Sequence, residues 1–296
     1  MLTPFPDSGR IDVPPALAGE LLSTVQRLPL FENQEFYSPA LQELILNHVR
    51  EFCADGFNDL VSLIRERIAG WPYCVLIRGL SFDEGNRLFV AINRAFGELV
   101  ARPYEKPRAQ LVHYIQPGTD LLSSRGGHES ERLHTDTADW VTPVEVISMV
   151  CVRADGGGGG RSRVLDVAAV RDEVQRRLGK AALDLLESQS VPWQLAPYWG
   201  GGVKWRPVLT AQSICWRRYT IDLALELEDA RLSDEMLNVL DAFEKVIADS
   251  DRTVDFLMRE GEFLISDNTR TIHARTPISA GNPSDRLMIR SWIRIL

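Results

Sequence analysis

The stretch Leu133-His134-Thr135-Asp136 places an imidazole and a carboxylate two residues apart. In an extended segment, residues i and i+2 project from the same face, so both side chains can converge on one ion. His273 is the only later histidine and can supply a third ligand from elsewhere in the fold. Two imidazoles and one carboxylate are the ligand set of non-haem Fe(II) oxygenases. The pattern predicts an iron site made by His134, Asp136 and His273.

The long gap between these ligands also indicates the fold. Helical periodicity dominates the first 70 residues, and short strand-like segments dominate after residue 110. This order is typical of an antiparallel jelly roll, in which an early and a late strand lie side by side. We expect a mainly β protein with flanking helices. Its core would be a double-stranded β-helix (jelly roll, cupin-like) with an N-terminal helical cap and a helical insertion.

Residues 1–296 are predicted to form a single domain, with the cap at 1–72 and the jelly-roll core with inserted helices at 73–296. Apolar spacing predicts helices at 15–28, 39–52, 60–68, 167–178, 180–189 and 234–248, and one with Leu88, Ile92, Phe96 and Leu99 on one stripe. Strands are predicted at 74–79, 110–116, 145–153, 191–196, 213–217, 262–265, 271–274 and 286–295. The five-glycine run 156–160 is predicted to be a turn between strands.

Composition excludes several classes of protein. With 45% apolar and 25% charged residues the chain is globular, and its net charge of -8 disfavours binding to nucleic acid. No segment has the roughly 20 apolar residues of a membrane span, and no secretory signal is visible. Four scattered cysteines without a C-x-x-C pattern indicate a reducing, cytoplasmic location. The sequence leaves the oligomeric state open, with a homo-oligomer as one option.

The C-terminal segment 286–295, RLMIRSWIRI, alternates with a period of two. One face is apolar and carries Leu287, Ile289, Ile293 and Ile295; the other carries Arg286, Met288, Arg290, Trp292 and Arg294. The arginines could be surface charge on a solvent-facing strand. Alternatively, Arg286 points into a cavity and pairs with a carboxylate through two parallel hydrogen bonds, which its planar guanidinium suits. Arg290 would then hold a second anionic group.

Several motifs together resemble the Fe(II)/2-oxoglutarate dioxygenases of the TauD/TfdA (taurine dioxygenase) and clavaminate synthase-like family. They are Leu133-His134-Thr135-Asp136, Gly159-Gly160-Arg161-Ser162, the segment 267–275 (DNTRTIHAR), and Asp285-Arg286 with Arg290. Their order and spacing agree over residues 73–296. The resemblance implies that His134, Asp136 and His273 bind iron, that Arg286 pairs with the distal carboxylate of 2-oxoglutarate, and that Ser162 adds a hydroxyl donor. It also implies that Arg290 contacts the prime substrate or the cosubstrate.

The implied cofactors are Fe(II), 2-oxoglutarate as cosubstrate, and O2. The implied activity is hydroxylation of a C–H bond with release of succinate and CO2. Desaturation, epoxidation or cyclisation at the same site are alternatives. A zinc-dependent hydrolase would need an adjacent general base and has no use for a buried Arg286. A metal-free binding protein is disfavoured by the intact ligand set.

A polar stretch with two glycines, 123–132, precedes the first ligand and could close over a substrate as a lid or remain an exposed loop. Together with Arg290 it favours a small polar substrate, such as an amino acid or an amino-acid derivative. Specialised metabolism, including antibiotic biosynthesis, is the expected setting. The candidate substrate contacts are Arg290, Glu129, Glu131, Asp139 and Trp140.

Overall fold

Apolar residues at helical spacing give this chain two groups of helices. The structure, a computed structural model, describes residues 3–101, 111–116, 129–197, 200–227, 230–278 and 286–295. The first group is α1 (Pro15–Gln26), α2 (Pro39–Phe52), α3 (Ala54–Ala69) and α4 (Arg87–Phe96). The second group is α5 (Val167–Leu178), α6 (Lys180–Ser188), α7 (Arg218–Leu225) and α8 (Asp234–Ala248). Within the ranges just given, each helix is too short or too polar to cross a membrane.

The larger sheet has seven strands and carries the C-terminal segment near its centre. Its strands are β1 (Arg10–Asp12), β2 (Cys74–Arg78), β3 (Gly97–Val100), β4 (His113–Ile115), β5 (Val146–Arg153), β10 (Phe263–Asp267) and β12 (Leu287–Ile295). Their order is β1-β2-β10-β5-β12-β3, with β4 also paired to β12. Only the β1–β2 pairing is parallel among these.

The smaller sheet carries the second ligand segment. It has the order β11-β6-β9 and consists of β6 (Ser162–Asp166), β9 (Val254–Phe256) and β11 (Thr271–Arg275). A separate hairpin pairs β7 (Val191–Gln194) with β8 (Val203–Arg206). The glycine run 156–160 forms the turn between β5 and β6, as predicted.

The two sheets face each other across a shared apolar layer, and helices cover their outer faces. Along β2, Cys74 and Leu76 pack with Val164 of the smaller sheet, whereas Val75 and Ile77 pack with the first helix group. The other face of the smaller sheet packs, through Leu165 and its neighbours, against the second helix group. Residues that alternate along a strand therefore face different layers.

Three predictions about local structure are wrong. Segment 213–217 is not a strand, because its backbone bonds go in turn to different loops, and one isolated bridge joins Leu209 to Ile214. Leu99 does not continue the helix stripe; it lies in β3 opposite Ile293. Gly97 starts that strand, where a Cβ would overlap the carbonyl oxygen of Arg294. The cap is also not purely helical, since β1 adds to the large sheet.

The C-terminal strand is packed on both faces, which corrects the expected division into one packed face and one polar face. Met288 and Trp292 are buried on the face that carries the arginines, and Arg286 is buried as well. Ile295, predicted on the packed face, is 55% exposed because it lies beyond the last residue paired with β5. Surface charge is therefore the wrong interpretation for Arg286, which lies in the interior; its pairing with a carboxylate stays a prediction.

Candidate metal centre

The three predicted ligands meet between the two sheets. His273 lies in β11, where its neighbours Ile272 and Ala274 pack outward against the second helix group, so the imidazole faces the larger sheet. His134 pairs with His273 as an isolated antiparallel bridge: each backbone N–H donates to the other's carbonyl oxygen, both at 2.9 Å. Asp136 follows two residues later and is buried.

The donor atoms fit a single divalent ion. The Nε2 atoms of His134 and His273 lie 3.4 and 3.8 Å from Oδ1 of Asp136. All three ligand atoms lie within 4.8 Å of one another. At a metal–ligand distance of about 2.1 Å, adjacent octahedral positions are roughly 3 Å apart. Small side-chain movements therefore suffice to bring these atoms to one ion, and the donor set suits Fe(II).

Both histidines present Nε2 to the centre. The Nδ1 atom of His134 lies 2.8 Å from the carbonyl oxygen of Arg132, which favours the tautomer that leaves Nε2 free for a metal. Burial, with the nearby positive charges of His134, Arg290 and Arg217, lowers the pKa of His273 to about 3 against the opposing effect of Asp136. A neutral imidazole is the form that binds a metal.

The second oxygen of the Asp136 carboxylate is held by the larger sheet. Its Oδ2 accepts a hydrogen bond from Nε1 of Trp292 at 2.8 Å and another from Nη1 of Arg290 at 3.0 Å. Burial opposes ionisation of Asp136, but the positive charge of Arg290 and the contacts with both histidines outweigh it, so the pKa of Asp136 lies well below its ordinary value. With Oδ2 occupied, Oδ1 is the oxygen left for a metal.

Removing the indole N–H should therefore weaken metal binding. We expect Trp292→Phe to lower Fe(II) affinity by about tenfold, because groups that orient a metal ligand are worth roughly 10- to 100-fold. Anaerobic Fe(II) titration measures this. Trp193→Phe is the matched control, since Trp193 is also fully buried and donates instead to the carbonyl oxygen of Arg206. Equal losses in the two variants would count against the orienting role.

A buried amide fixes the backbone of the aspartate. Asn268 accepts from the Asp136 N–H at 3.0 Å and donates to the carbonyl oxygens of Asp136 and Val144 at 3.1 and 2.8 Å. Thr137, with φ of +55°, donates to the Asp136 carbonyl oxygen and accepts from Val144 N–H. These bonds connect the ligand segment to the turn that precedes β11.

Asn268→Ala should destabilise the protein by about 2–4 kcal/mol, because it leaves two buried backbone groups, the Asp136 N–H and the Val144 carbonyl oxygen, without the bonds that Asn268 makes to them. Urea unfolding of the metal-free protein measures the change. Asn238→Ala on the exposed face of α8 is the control and should alter stability by less than about 0.5 kcal/mol. A loss in Asn268→Ala no larger than in the control would contradict this account of the loop.

Arg286 is buried in the interior. It is 6% exposed, and Nη2 lies 3.5 Å from the carbonyl oxygen of Gly160, a long contact. No carboxylate among the described residues forms an ion pair with it. Burial and the charge of Arg275 lower the pKa of the Arg286 guanidinium, which nevertheless stays charged. Gly160 has φ of +64°, and a Cβ there would lie 2.6 Å from Nε of Arg286.

The other predicted residues occupy varied positions. Ser162 begins β6 opposite Arg275, two residues after Gly160. Glu131 forms an ion pair with Arg275 at 3.3 Å. Oδ1 of Asp139 is buried and makes no hydrogen bond to any described residue.

Trp140 is fully buried and packs edge-on against Trp292, so the structure gives it a packing position; its predicted contact with substrate stays a prediction. Arg290, predicted to hold an anionic group of a ligand, bonds to Asp136 here. Glu129 lies in a short 3-10 turn, and its side chain is not described. Most of the predicted lid 123–132, and Asp285, lie outside the described residues.

Sequence reasoning missed three residues of this centre. The alternation along 286–295 puts Trp292 on the correct face of its strand but predicts no role for it. Asn268 lies in the motif 267–275, and the motif predicts no role for this residue either. Arg217 was assigned to a strand that does not form, yet it is buried near His273. The position of Arg217 next to Trp216, in a mostly apolar segment, is the sequence feature that could have indicated its role.

Comparisons with known proteins agree with this geometry. Residues 58–292 match the family described as taurine catabolism dioxygenase TauD, TfdA family. No curated protein sequence matches the chain. An asparagine oxygenase solved with Fe(II), 2S,3S-3-hydroxyasparagine and succinate superposes with a TM-score of 0.76 at 17% identity, covering 97% of this chain and 93% of that one. The non-heme iron oxygenase OrfP, solved with Fe and alpha-ketoglutaric acid, gives a TM-score of 0.73 at 17% identity, covering 96% and 93%. The chain thus shares the fold of these oxygenases, and the match over most of its length shows that it belongs to the TauD/TfdA family of dioxygenases.

Proposed function

We propose that this protein is an Fe(II)- and 2-oxoglutarate-dependent oxygenase that hydroxylates a C–H bond of an amino acid or an amino-acid derivative. One observation carries the proposal: two imidazoles and a carboxylate converge in the interior. Arg286 is also buried, forms no ion pair with a described carboxylate, and feels the charge of Arg275, which lies two residues after His273 in β11. Membership of a family of dioxygenases also supports the proposed activity.

We assign the following roles to residues of this chain. His134, Asp136 and His273 hold Fe(II) and leave the remaining coordination positions for ligands. Arg286 binds the distal carboxylate of 2-oxoglutarate, and Ser162 adds a hydroxyl donor nearby. When bound, the iron, 2-oxoglutarate and O2 supply the oxidation, with release of succinate and CO2. Hydrogen bonds from Arg290 and Trp292 keep the Asp136 carboxylate turned toward the metal.

An amino-acid substrate is supported by the structural neighbours. One was solved with hydroxyasparagine and others with hydroxyarginine. Each matches more than nine-tenths of this chain at a TM-score of about 0.7. Arg290, Glu131 and Asp139 are our candidates for contacts to such a substrate. A role in antibiotic or other specialised biosynthesis is part of the proposal.

We also propose that the seven- and three-stranded sheets are the two sheets of a double-stranded β-helix and that residues 1–296 form one domain. The core that α1–α4 share with the larger sheet supports this. The four cysteines are free, which supports the predicted cytoplasmic location.

A panel of amino acids tests the activity. Purified protein with Fe(II) is incubated with 2-oxoglutarate, O2 and each candidate, and succinate and a product 16 mass units heavier are measured. We expect both products to depend on Fe(II) and to rise together with one class of amino acid. Zinc-supported turnover without O2 would instead indicate a hydrolase, and succinate that no amino acid increases would contradict the proposed substrate class.

A further inference from the structure

Three arginines are buried in the described part of the chain: Arg87, Arg217 and Arg286. Arg87 is matched by Asp83, with Nη2 and Oδ1 2.6 Å apart. The other two form no ion pair with a described carboxylate. An isolated buried charge is costly to desolvate, so a protein that keeps one needs a counter-charge from another source.

Arg217 lies next to the metal ligands but belongs to a different segment. The adjacent residue Trp216 is bonded to Thr135, the residue between the first two ligands: Thr135 N–H donates to the Trp216 carbonyl oxygen at 2.6 Å, and Trp216 N–H donates to Oγ1 of Thr135 at 3.0 Å. The carbonyl oxygen of Arg217 accepts from the N–H and hydroxyl of Thr220, which fixes the backbone at the start of α7.

The side chain of Arg217 is buried, and the residue is only 6% exposed. Among the described residues its guanidinium forms no ion pair with a carboxylate. Its charge is close enough to His273 to contribute to the lowered pKa of that imidazole. The next arginine differs: Arg218 bonds to Asp222 at 2.7 Å and to Asp241 at 2.6 Å on the surface.

Around the centre, two guanidiniums form no ion pair with a described carboxylate, those of Arg217 and Arg286. Arg290 bonds to Asp136, and Arg275 pairs with Glu131. Arg286, beside Gly160, is taken by 2-oxoglutarate in the proposed function. Arg217 belongs to the segment beside Thr135, whereas Arg286 lies beside Gly160. A single cosubstrate carboxylate bound at Arg286 would therefore leave the charge of Arg217 without a counter-charge.

We propose, on the basis of the proposed function, that Arg217 binds a carboxylate of the prime substrate and so makes the enzyme selective for an anionic amino acid. The carboxylate is that of an acidic side chain, because the α-carboxylate is common to all amino acids and would give no such selectivity. A planar guanidinium can hold a side-chain carboxylate through two parallel hydrogen bonds.

The test uses the anaerobic Fe(II)–2-oxoglutarate complex of the full chain and its visible charge-transfer band. Aspartate, glutamate, asparagine, glutamine, and the α-amides of aspartate and glutamate are titrated, free and as α-thioesters of pantetheine. We expect the wild-type band to shift with aspartate or glutamate. Weak binding of asparagine and glutamine would support a side-chain carboxylate at Arg217, and binding of these amides as tight as that of the acids would overturn it.

Arg217→Gln should weaken binding of the responding amino acid by roughly 30- to 1,000-fold, the usual effect of breaking a buried charge pair. Arg217→Lys should restore part of that loss. The affinity for 2-oxoglutarate should be unchanged. The thermal midpoint of the apo protein should not fall in Arg217→Gln, because an unpaired guanidinium is removed; a purely structural role would lower it. Arg218→Gln is the neighbouring control and should bind every probe as wild type does.

The test distinguishes an error in the proposed function from an error in the role assigned to Arg217. A wild-type protein that forms no Fe(II)–2-oxoglutarate band would overturn the proposed function and this inference with it. A normal band that none of the probes perturbs, or that they perturb equally in wild type and Arg217→Gln, would overturn only the assignment of Arg217. Loss of 2-oxoglutarate binding in Arg217→Gln would also overturn it, since the residue would then serve the cosubstrate.

Discussion

His134→Ala is expected to lower Fe(II) affinity by on the order of 1,000-fold or more and to remove 2-oxoglutarate turnover. The substitution takes away one of three donor atoms that lie within 4.8 Å of one another and leaves two, His273 and Asp136, that cannot define one face of an octahedron. Anaerobic titration with Fe(II) measures the affinity, and succinate release measures the turnover.

His48→Ala is the matched control for that experiment. His48 lies in α2, where its Nε2 is 3.1 Å from the carbonyl oxygen of Thr24 and its ring packs on Phe52. We expect this variant to bind Fe(II) as wild type does. Wild-type affinity in His134→Ala would contradict the ligand assignment, because the ion would then have to bind elsewhere.

Arg286→Gln is expected to raise the dissociation constant of 2-oxoglutarate by roughly 100-fold, because the cosubstrate carboxylate loses its buried ionic partner. Glutamine keeps much of the side-chain volume beside Gly160 but carries no charge. The affinity for Fe(II) itself should change little, since Arg286 is not among the metal ligands. Titration of 2-oxoglutarate into the Fe(II)-loaded protein without O2 measures both quantities separately.

Two further variants sharpen this prediction. Arg286→Lys should recover only part of the affinity, because an ammonium group cannot form the paired bonds of a guanidinium. Arg171→Gln, which breaks the ion pair with Glu187 at the surface of α5, should have wild-type affinity. Equal 2-oxoglutarate binding in Arg286→Gln and Arg171→Gln would refute the role of Arg286.

The parts of the site that could be predicted from sequence are those set by a short period. The i, i+2 relation of His134 and Asp136 and the alternation along 286–295 both depend on strand geometry alone. The alternation places Arg290 on the face that carries Trp292, and the structure agrees, since both side chains bond to Oδ2 of Asp136. His273 is predicted because it is the only later histidine, and the family resemblance implies the same ligand; spacing alone does not say which distant strand returns beside the first.

The remainder depends on tertiary contacts that no local pattern encodes. Oδ2 of Asp136 is shared by Arg290 and Trp292 because the fold brings the loop that carries Asp136 against β12. Segment 213–217 has the composition of a strand, yet its backbone bonds are taken by separate loops, so Arg217 was not recognised as part of the centre. The helix α4 ends before Gly97, although the apolar periodicity continues to Leu99. Close packing of Gly97 against β12 determines the structure here, and helical periodicity does not.

The most direct test of the account is the visible spectrum of the protein during anaerobic addition of Fe(II) and then 2-oxoglutarate. If His134, Asp136 and His273 bind one ferrous ion beside Arg286, a charge-transfer band should appear at one equivalent of each, and it should be absent in His134→Ala and in His273→Ala. A wild-type protein that shows no band, or a band that survives loss of either histidine, would contradict the central claim.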